Sequence, residues 1–190
     1  SEREALEIYK AGGVDSAEGF INDELRRRTV WNLGGKKIPS KEDASESYEL
    51  LTERVVKLID RALSKGGFYR NVILYRGFNL DTPFEDLKGK TFVDPGYPST
   101  SLDKDVAIEL ALMTGGKRAA GILKITLPAG YPAGYLDSID EQDQLEVLLP
   151  RETELKASNK MYPFTNSEGQ EVNDENGNPV QMLEVTVIPR

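Results

Sequence analysis

The sequence has no cysteine and no histidine. Without thiols there is no disulfide, no thiolate nucleophile and no Cys-based zinc site. Without imidazole the Ser-His-Asp and Cys-His mechanisms, imidazole base catalysis and most zinc sites are excluded as well. Any chemistry must rest on Glu, Asp, Arg, Lys, Ser, Thr, Tyr and whatever small molecule they bind. Basic charge is also scarce: 24 Lys and Arg stand against 32 Asp and Glu, a net charge of −8. That balance argues against nucleic acid or an anionic membrane as partner, because both demand a basic face. No apolar run approaches the roughly 18 to 20 residues needed to span a bilayer. No Gly-x-Gly-x-x-Gly follows a strand and no Walker-type loop is present, so Rossmann and P-loop nucleotide sites are not expected.

What is there is an ordinary globular balance, 38% hydrophobic and 29% charged over 190 residues, enough for one domain with a sizeable core. The chain starts at Ser1 without a signal peptide, as expected of a cytosolic protein or of a mature form already trimmed. Helical signals come first. Glu2 to Lys10 reads as a short helix, and Asp15 with Glu18 three residues on predicts a second through about Arg28, with Phe20, Ile21 and Leu25 apolar. Asn22 and Arg26 lie four apart there, on one face, where they could hold one ligand or simply be solvated. Ser40 and Asp43 open a long helix to about Ser64, with Leu51, Val55, Leu58, Ile59 and Ala62 at helical spacing, ended by Gly66-Gly67.

From there the pattern switches to strands: Val72 to Gly77, Thr91 to Val93, Tyr97 to Ser101, Ile122 to Leu127 and Val180 to Ile188, with a helix over Asp103 to Leu112. Thr114 to Arg118 reads as a loop carrying two cations. Helices followed by strands argue for an α+β domain. The expectation is a single domain over 1–190, helical over 1–65 and a β-sandwich core over 66–190.

One stretch organises the rest, a polar loop from Tyr135 to Asp143 running into the apolar strand Gln144-Leu145-Glu146-Val147-Leu148-Leu149-Pro150-Arg151. If the strand alternates regularly, Leu145, Val147 and Leu149 enter the core while Gln144 and Glu146 share the other face. An amide and a carboxylate then stand together at a strand mouth, an arrangement equally open to an ordinary strand with a polar outer face.

Three features occur in fixed order: Arg76 closing Leu74-Tyr75-Arg76-Gly77, then Ser99-Thr100-Ser101, then Gln144-Leu145-Glu146 followed by Val-Leu-Leu-Pro-Arg. In this the chain resembles the Arg-Ser-Glu class of mono-ADP-ribosyltransferase toxins, and in its Gln-x-Glu form the clostridial Rho-inactivating exoenzymes. The similarity extends through Ala133 to Asp137 and to the Ile21-Asn22 and Leu25-Arg26 segment. That resemblance implies a mixed α/β ADP-ribosyltransferase fold: two roughly perpendicular antiparallel β-sheets with N-terminal helices, NAD as substrate in the cleft between them, and no metal.

Within that resemblance, Glu146 favours the positive charge that develops on the ribose as nicotinamide leaves. Ser99 orients Glu146. Arg76, with Gly77 beside it, anchors the pyrophosphate, for which a planar multi-donor cation is suited, and Asn22, Arg26 and Arg118 assist. Thr100 and Ser101 shape the strand that receives the nicotinamide, a role that packing alone would equally explain. Gln144 faces the acceptor; an amide pairs with an asparagine side chain but neither attracts nor deprotonates a guanidinium, although Glu141 or Asp143 could supply that charge. The implied function is transfer of ADP-ribose to an asparagine of a Rho-type small GTPase, with NAD glycohydrolysis on the side, by a secreted bacterial toxin that acts as a monomer in the host cytosol. Transfer to arginine on actin or another protein, including a phage enzyme acting on bacterial proteins, and a non-catalytic NAD-binding module remain open.

Overall fold

The computed structural model describes residues 1–10, 46–79, 84–113, 120–136 and 144–190. The helix expected over 15–28, with Asn22 and Arg26, and the loop carrying Arg118 lie outside the described residues. Helix α1 (Glu2–Lys10) starts where the Ser1 hydroxyl accepts the Glu4 amide at 3.2 Å, satisfying one of the donors a helix start leaves open. Ala5 and Tyr9, one turn apart, are buried against Val55, Val56, Ile59 and Leu63 of α2 (Glu46–Leu63). At α2 the 3.6-residue periodicity thus turns one stripe inward, as its spacing predicts. Beyond it, a Cβ on Gly66 would lie 2.0 Å from the Ala133 carbonyl oxygen, so the chain passes there at a distance that only glycine permits.

Among the described residues eight strands follow: β1 (Val72–Asn79), β2 (Thr91–Asp94), β3 (Ser99–Ser101), β4 (Ala120–Leu127), β5 (Gly134–Tyr135), β6 (Glu146–Leu148), β7 (Thr153–Pro163) and β8 (Gln181–Val187). A short 3-10 turn over Phe84–Leu87 precedes β2, and α3 (Lys104–Met113) follows β3. The hydrogen-bonded order is β2-β7-β8-β4-β1-β3-β6-β5. The α+β class expected from the sequence is therefore what the chain adopts.

Two details differ from the expected architecture. β4 and β8 pair in parallel among otherwise antiparallel neighbours, which requires the intervening β5, β6 and β7 to act as the crossover. Hydrogen bonding is also continuous, although β1 and β3 meet only at Tyr75 and Ser101, so that a five-strand half and the three-strand half β3-β6-β5 are joined at one residue pair. Strand β7 is absent from the sequence expectations, yet Thr153, Leu155 and Ala157 are buried while Glu154 and Lys156 are exposed, a regular period of two.

The main core lies on one face of the larger half, where Leu74, Leu123, Ile125, Leu127, Leu155 and Leu183 meet Val147 and Leu149 of the smaller. On the other face α3 covers β1 through Ala107, Ile108 and Ala111, packed with Ile122, Phe164 and Met182. Contact there is close: a Cβ on Gly77 would meet the Ala107 carbonyl oxygen at 2.3 Å and the Ala111 Cβ at 2.7 Å. The space that Gly77 leaves is filled by helix, which gives this glycine a packing reason.

Candidate active site

The three motifs arrive on three neighbouring strands. β3 is the shared neighbour, pairing with β1 at Tyr75 and with β6 through Ser99↔Leu148, Thr100↔Val147 and Ser101↔Glu146. Arg76, one residue beyond Tyr75, and Glu146, distant in sequence, are thereby drawn to the two sides of one short strand.

Because Ser101 stands opposite Glu146, Ser99 is its diagonal neighbour, within reach of a long side chain. The Ser99 hydroxyl donates to Glu146 Oε1 at 2.5 Å, and Glu146 is only 6% exposed. A nearly buried carboxylate held by a charge-assisted hydrogen bond keeps one orientation and loses little of its field to water. The two other hydroxyls of the motif serve the backbone. Thr100 Oγ1 donates to the Val147 carbonyl at 2.6 Å, and Ser101 Oγ donates to the Gln144 carbonyl at 2.7 Å while accepting the Asp103 amide at 2.9 Å. Both residues are buried, 4% and 3% exposed, so their part is to fix β3 against β6 and to launch α3.

The alternation expected across Gln144-Leu145-Glu146 does not hold. β6 begins only at Glu146, and Leu145 has φ of 46° with its side chain 38% exposed instead of entering the core. A left-handed residue breaks the period of two. Gln144 is consequently placed by a kink, pinned by Ser101 at its carbonyl, with the Leu102 amide donating to the Leu145 carbonyl at 3.0 Å. Glu146, Val147, Leu148 and Leu149 are all buried. Tyr135 of β5 and Leu145 are both exposed; Glu141 and Asp143, in the 137–143 segment, lie outside the described residues.

Arg76 is 15% exposed and its Nη2 lies 3.1 Å from Asp94 Oδ2. Three strands separate β2 from β1 in hydrogen-bond order, so the larger half must curl to bring this pair together. Asp94 also accepts the Gly96 amide at 2.9 Å, and its carbonyl accepts the Glu152 amide at 2.8 Å. The sequence signal for it was the Asp-Pro-Gly turn before the Ser99 motif.

Three further side chains brace the site from behind. Asp60 of α2 accepts from Arg151 Nε, at 2.9 and 3.2 Å, and from the Tyr97 hydroxyl at 2.7 Å. Burial, followed by the Asp60 contact, pushes the Tyr97 phenol far above its ordinary pKa, keeping it a neutral donor. For Arg151 burial pulls downward, but the hydrogen bond to Asp60 and its charge outweigh that and raise the pKa. Among the described residues no group of three or more His, Cys, Asp or Glu is arranged to hold a metal ion.

Compared with known proteins, the model of the ADP-ribosyltransferase exoenzyme family matches residues 1–178. The chain belongs to that family. Mono-ADP-ribosyltransferase C3 of the Clostridium botulinum C phage is 35% identical over 50% of this chain and 46% of its own, so the match spans about half the length of that curated relative. Among solved structures, an ADP-ribosyltransferase from Clostridium botulinum superposes with a TM-score of 0.64 at 25% identity, covering 99% of this chain and 86% of that one. The Clostridium limosum C3 exoenzyme gives 0.66 at 23% identity, with 99% and 85% covered. Family membership agrees with the three-motif order, and no helix among the described residues is long and apolar enough to cross a membrane.

Proposed function

We propose that this exoenzyme-family chain is an NAD-dependent mono-ADP-ribosyltransferase whose acceptor is an asparagine on a Rho-type small GTPase in the cytosol of a host cell, reached by a secreted toxin. The observation that carries the reading is the 2.5 Å Ser99–Glu146 contact on the strand that Arg76 flanks, in a chain without histidine or cysteine to support another route. The residues fit the substrate. Glu146 supplies buried negative charge for a sugar that becomes cationic, and the Arg76 guanidinium, steadied by Asp94, is the planar cation a diphosphate needs. Asn22, Arg26 and Arg118 assist the diphosphate in this reading, while Thr100 and Ser101 hold the strand on which Ser99 sits.

In the reaction the C1′–nicotinamide bond breaks, both its electrons leave with neutral nicotinamide, and C1′ bonds to the acceptor nitrogen, which gives up a proton. With water in place of the acceptor the product is free ADP-ribose. Glu146 opposes the positive charge at C1′ in the transition state, and Ser99 keeps its carboxylate aimed. Gln144, set by the Leu145 kink, is the side chain offered to the acceptor amide.

The test is incubation of the chain with labelled NAD and a purified Rho-type GTPase, with the modified residue located by mass spectrometry. ADP-ribose on an asparagine is expected, and Glu146→Ala should abolish transfer and NAD hydrolysis while binding NAD nearly normally. Modification of an arginine would move the acceptor assignment, and wild-type turnover by Glu146→Ala would overturn the catalytic one.

A further inference from the structure

Asp60 lies on α2, a helix that carries none of the three site motifs, and its carboxylate is one-third exposed. Its two partners are not scattered. Tyr97 stands two residues before Ser99, with only Pro98 between them, and Arg151 stands five residues after Glu146. Proline locks its own φ, so the link from Tyr97 to Ser99 has little slack. The Pro98 carbonyl accepts the Leu149 amide at 2.9 Å, so the two segments are also joined to each other just outside the Ser99–Glu146 contact. Tyr97 is fully buried, and its ring meets that of Tyr9 edge to face, with centroids 5.7 Å apart and planes at 81°. One carboxylate thus ties the outer ends of both chain segments whose inner ends make the 2.5 Å hydroxyl–carboxylate contact.

We propose that Asp60 is a positioning residue for the Ser99–Glu146 pair, holding β3 and β6 in register through Tyr97 and Arg151. The proposal rests on the NAD-cleaving reading given above. Arg151 approaches both carboxylate oxygens and Tyr97 takes Oδ1 as well, so replacing Asp60 by Asn keeps the shape, removes the charge and exchanges one acceptor for a donor facing Arg151. Misplacement of a reacting group by about 1 Å costs on the order of a hundredfold in rate, so even a small shift of β3 against β6 registers in kcat.

The experiment measures nicotinamide release from NAD by the wild type, Asp60→Asn, Ser99→Ala and the double variant. For Asp60→Asn the expected result is a kcat lower by about tenfold or more with KM for NAD within about twofold, because Tyr97 and Arg151, its partners among the described residues, are not among those assigned to the diphosphate. In the Ser99→Ala background the same substitution should cost less than about twofold, since the contact it positions is already gone; multiplied losses would show an independent effect and overturn the proposal. If Asp60→Asn does not fold, Tyr97→Phe removes one tie without unpairing a charge, and should show a smaller kcat loss with the same dependence on Ser99. An unchanged kcat in Tyr97→Phe would overturn the proposal equally. Failure of the wild type to consume NAD sinks the functional reading itself, whereas an active wild type beside an unaffected Asp60→Asn sinks only the role of Asp60.

Discussion

Ser99→Ala tests the chemistry at a single hydrogen bond. The bond removed is a hydroxyl donating to a carboxylate at 2.5 Å, beside a side chain 6% exposed, so water has little room to replace it. Hydrogen bonds to charged groups contribute about 1.5–3 kcal/mol. If that energy serves to keep Glu146 aimed at the developing charge, its loss appears in the barrier to bond breaking, a fall in kcat of about 10- to 150-fold. KM for NAD should change little, because the diphosphate is assigned to Arg76 and not to Ser99. Initial rates of nicotinamide release across a range of NAD concentrations measure both constants, with circular dichroism and urea unfolding to show that the variant is folded. Ser99→Thr keeps the hydroxyl, adds a methyl compatible with a strand, and should recover most of the rate. A folded Ser99→Ala with the wild-type kcat, or with all its loss in KM, would refute the claim that Ser99 acts through Glu146.

Gly77→Ala should destabilise the fold by about 1–3 kcal/mol in urea unfolding, because the new methyl meets the Ala107 carbonyl at 2.3 Å and α3 must move off β1. Ala111→Gly should not rescue it, since the nearest obstacle is backbone. Glu152 has φ of 61° in the turn between β6 and β7 and an exposed side chain, so Glu152→Gly trades relief of about 1–2 kcal/mol of left-handed strain against greater freedom of the unfolded chain. A net gain in melting temperature of about 2–4 °C is expected, and a fall would mean that the side chain matters there. Glu2 links α1 to the end of α2 through Lys65 at 2.7 Å and Arg61 at 3.0 Å, and the Lys65 hydrogen bond, against some desolvation, holds its carboxyl below the ordinary 4.5. A lowered folded value means stabilisation that is complete above pH 4.5 and lost as pH falls through that lowered value. The protection of the Ala5 and Tyr9 amides against exchange, relative to the intrinsic rate at each pH, should therefore fall in acid before that of β4; simultaneous loss would argue that α1 is held by its apolar face alone.

The elements legible in the sequence are those with a local cause. The α1 span and the inward stripe of α2 follow from helical periodicity, β1 and β4 from β-branched runs, and the order of the Arg, Ser and Glu motifs from reading along the chain. β7 shows a period of two in Thr153 to Ala157 as plain as any other strand, but no motif or turn signal marks it in the sequence. The kink at Leu145 was invisible, because nothing in a leucine announces a left-handed backbone and the propensity of its neighbours favours extension.

Sequence alone excluded imidazole and thiol chemistry, and the order of Arg76, Ser99 and Glu146 along the chain carries the resemblance to the ADP-ribosyltransferase toxins. Only the tertiary structure decided how they meet. It made β3 the strand shared by Arg76 and Glu146, gave Ser99 rather than Ser101 to the carboxylate, set Asp94 on Arg76, and reached back to Asp60 on a helix far upstream to tie Tyr97 and Arg151. The reason is physical. Local composition sets what each segment prefers, but a diagonal contact across a strand or an ion pair closed by sheet curl depends on register and curvature, which exist only once distant segments have packed.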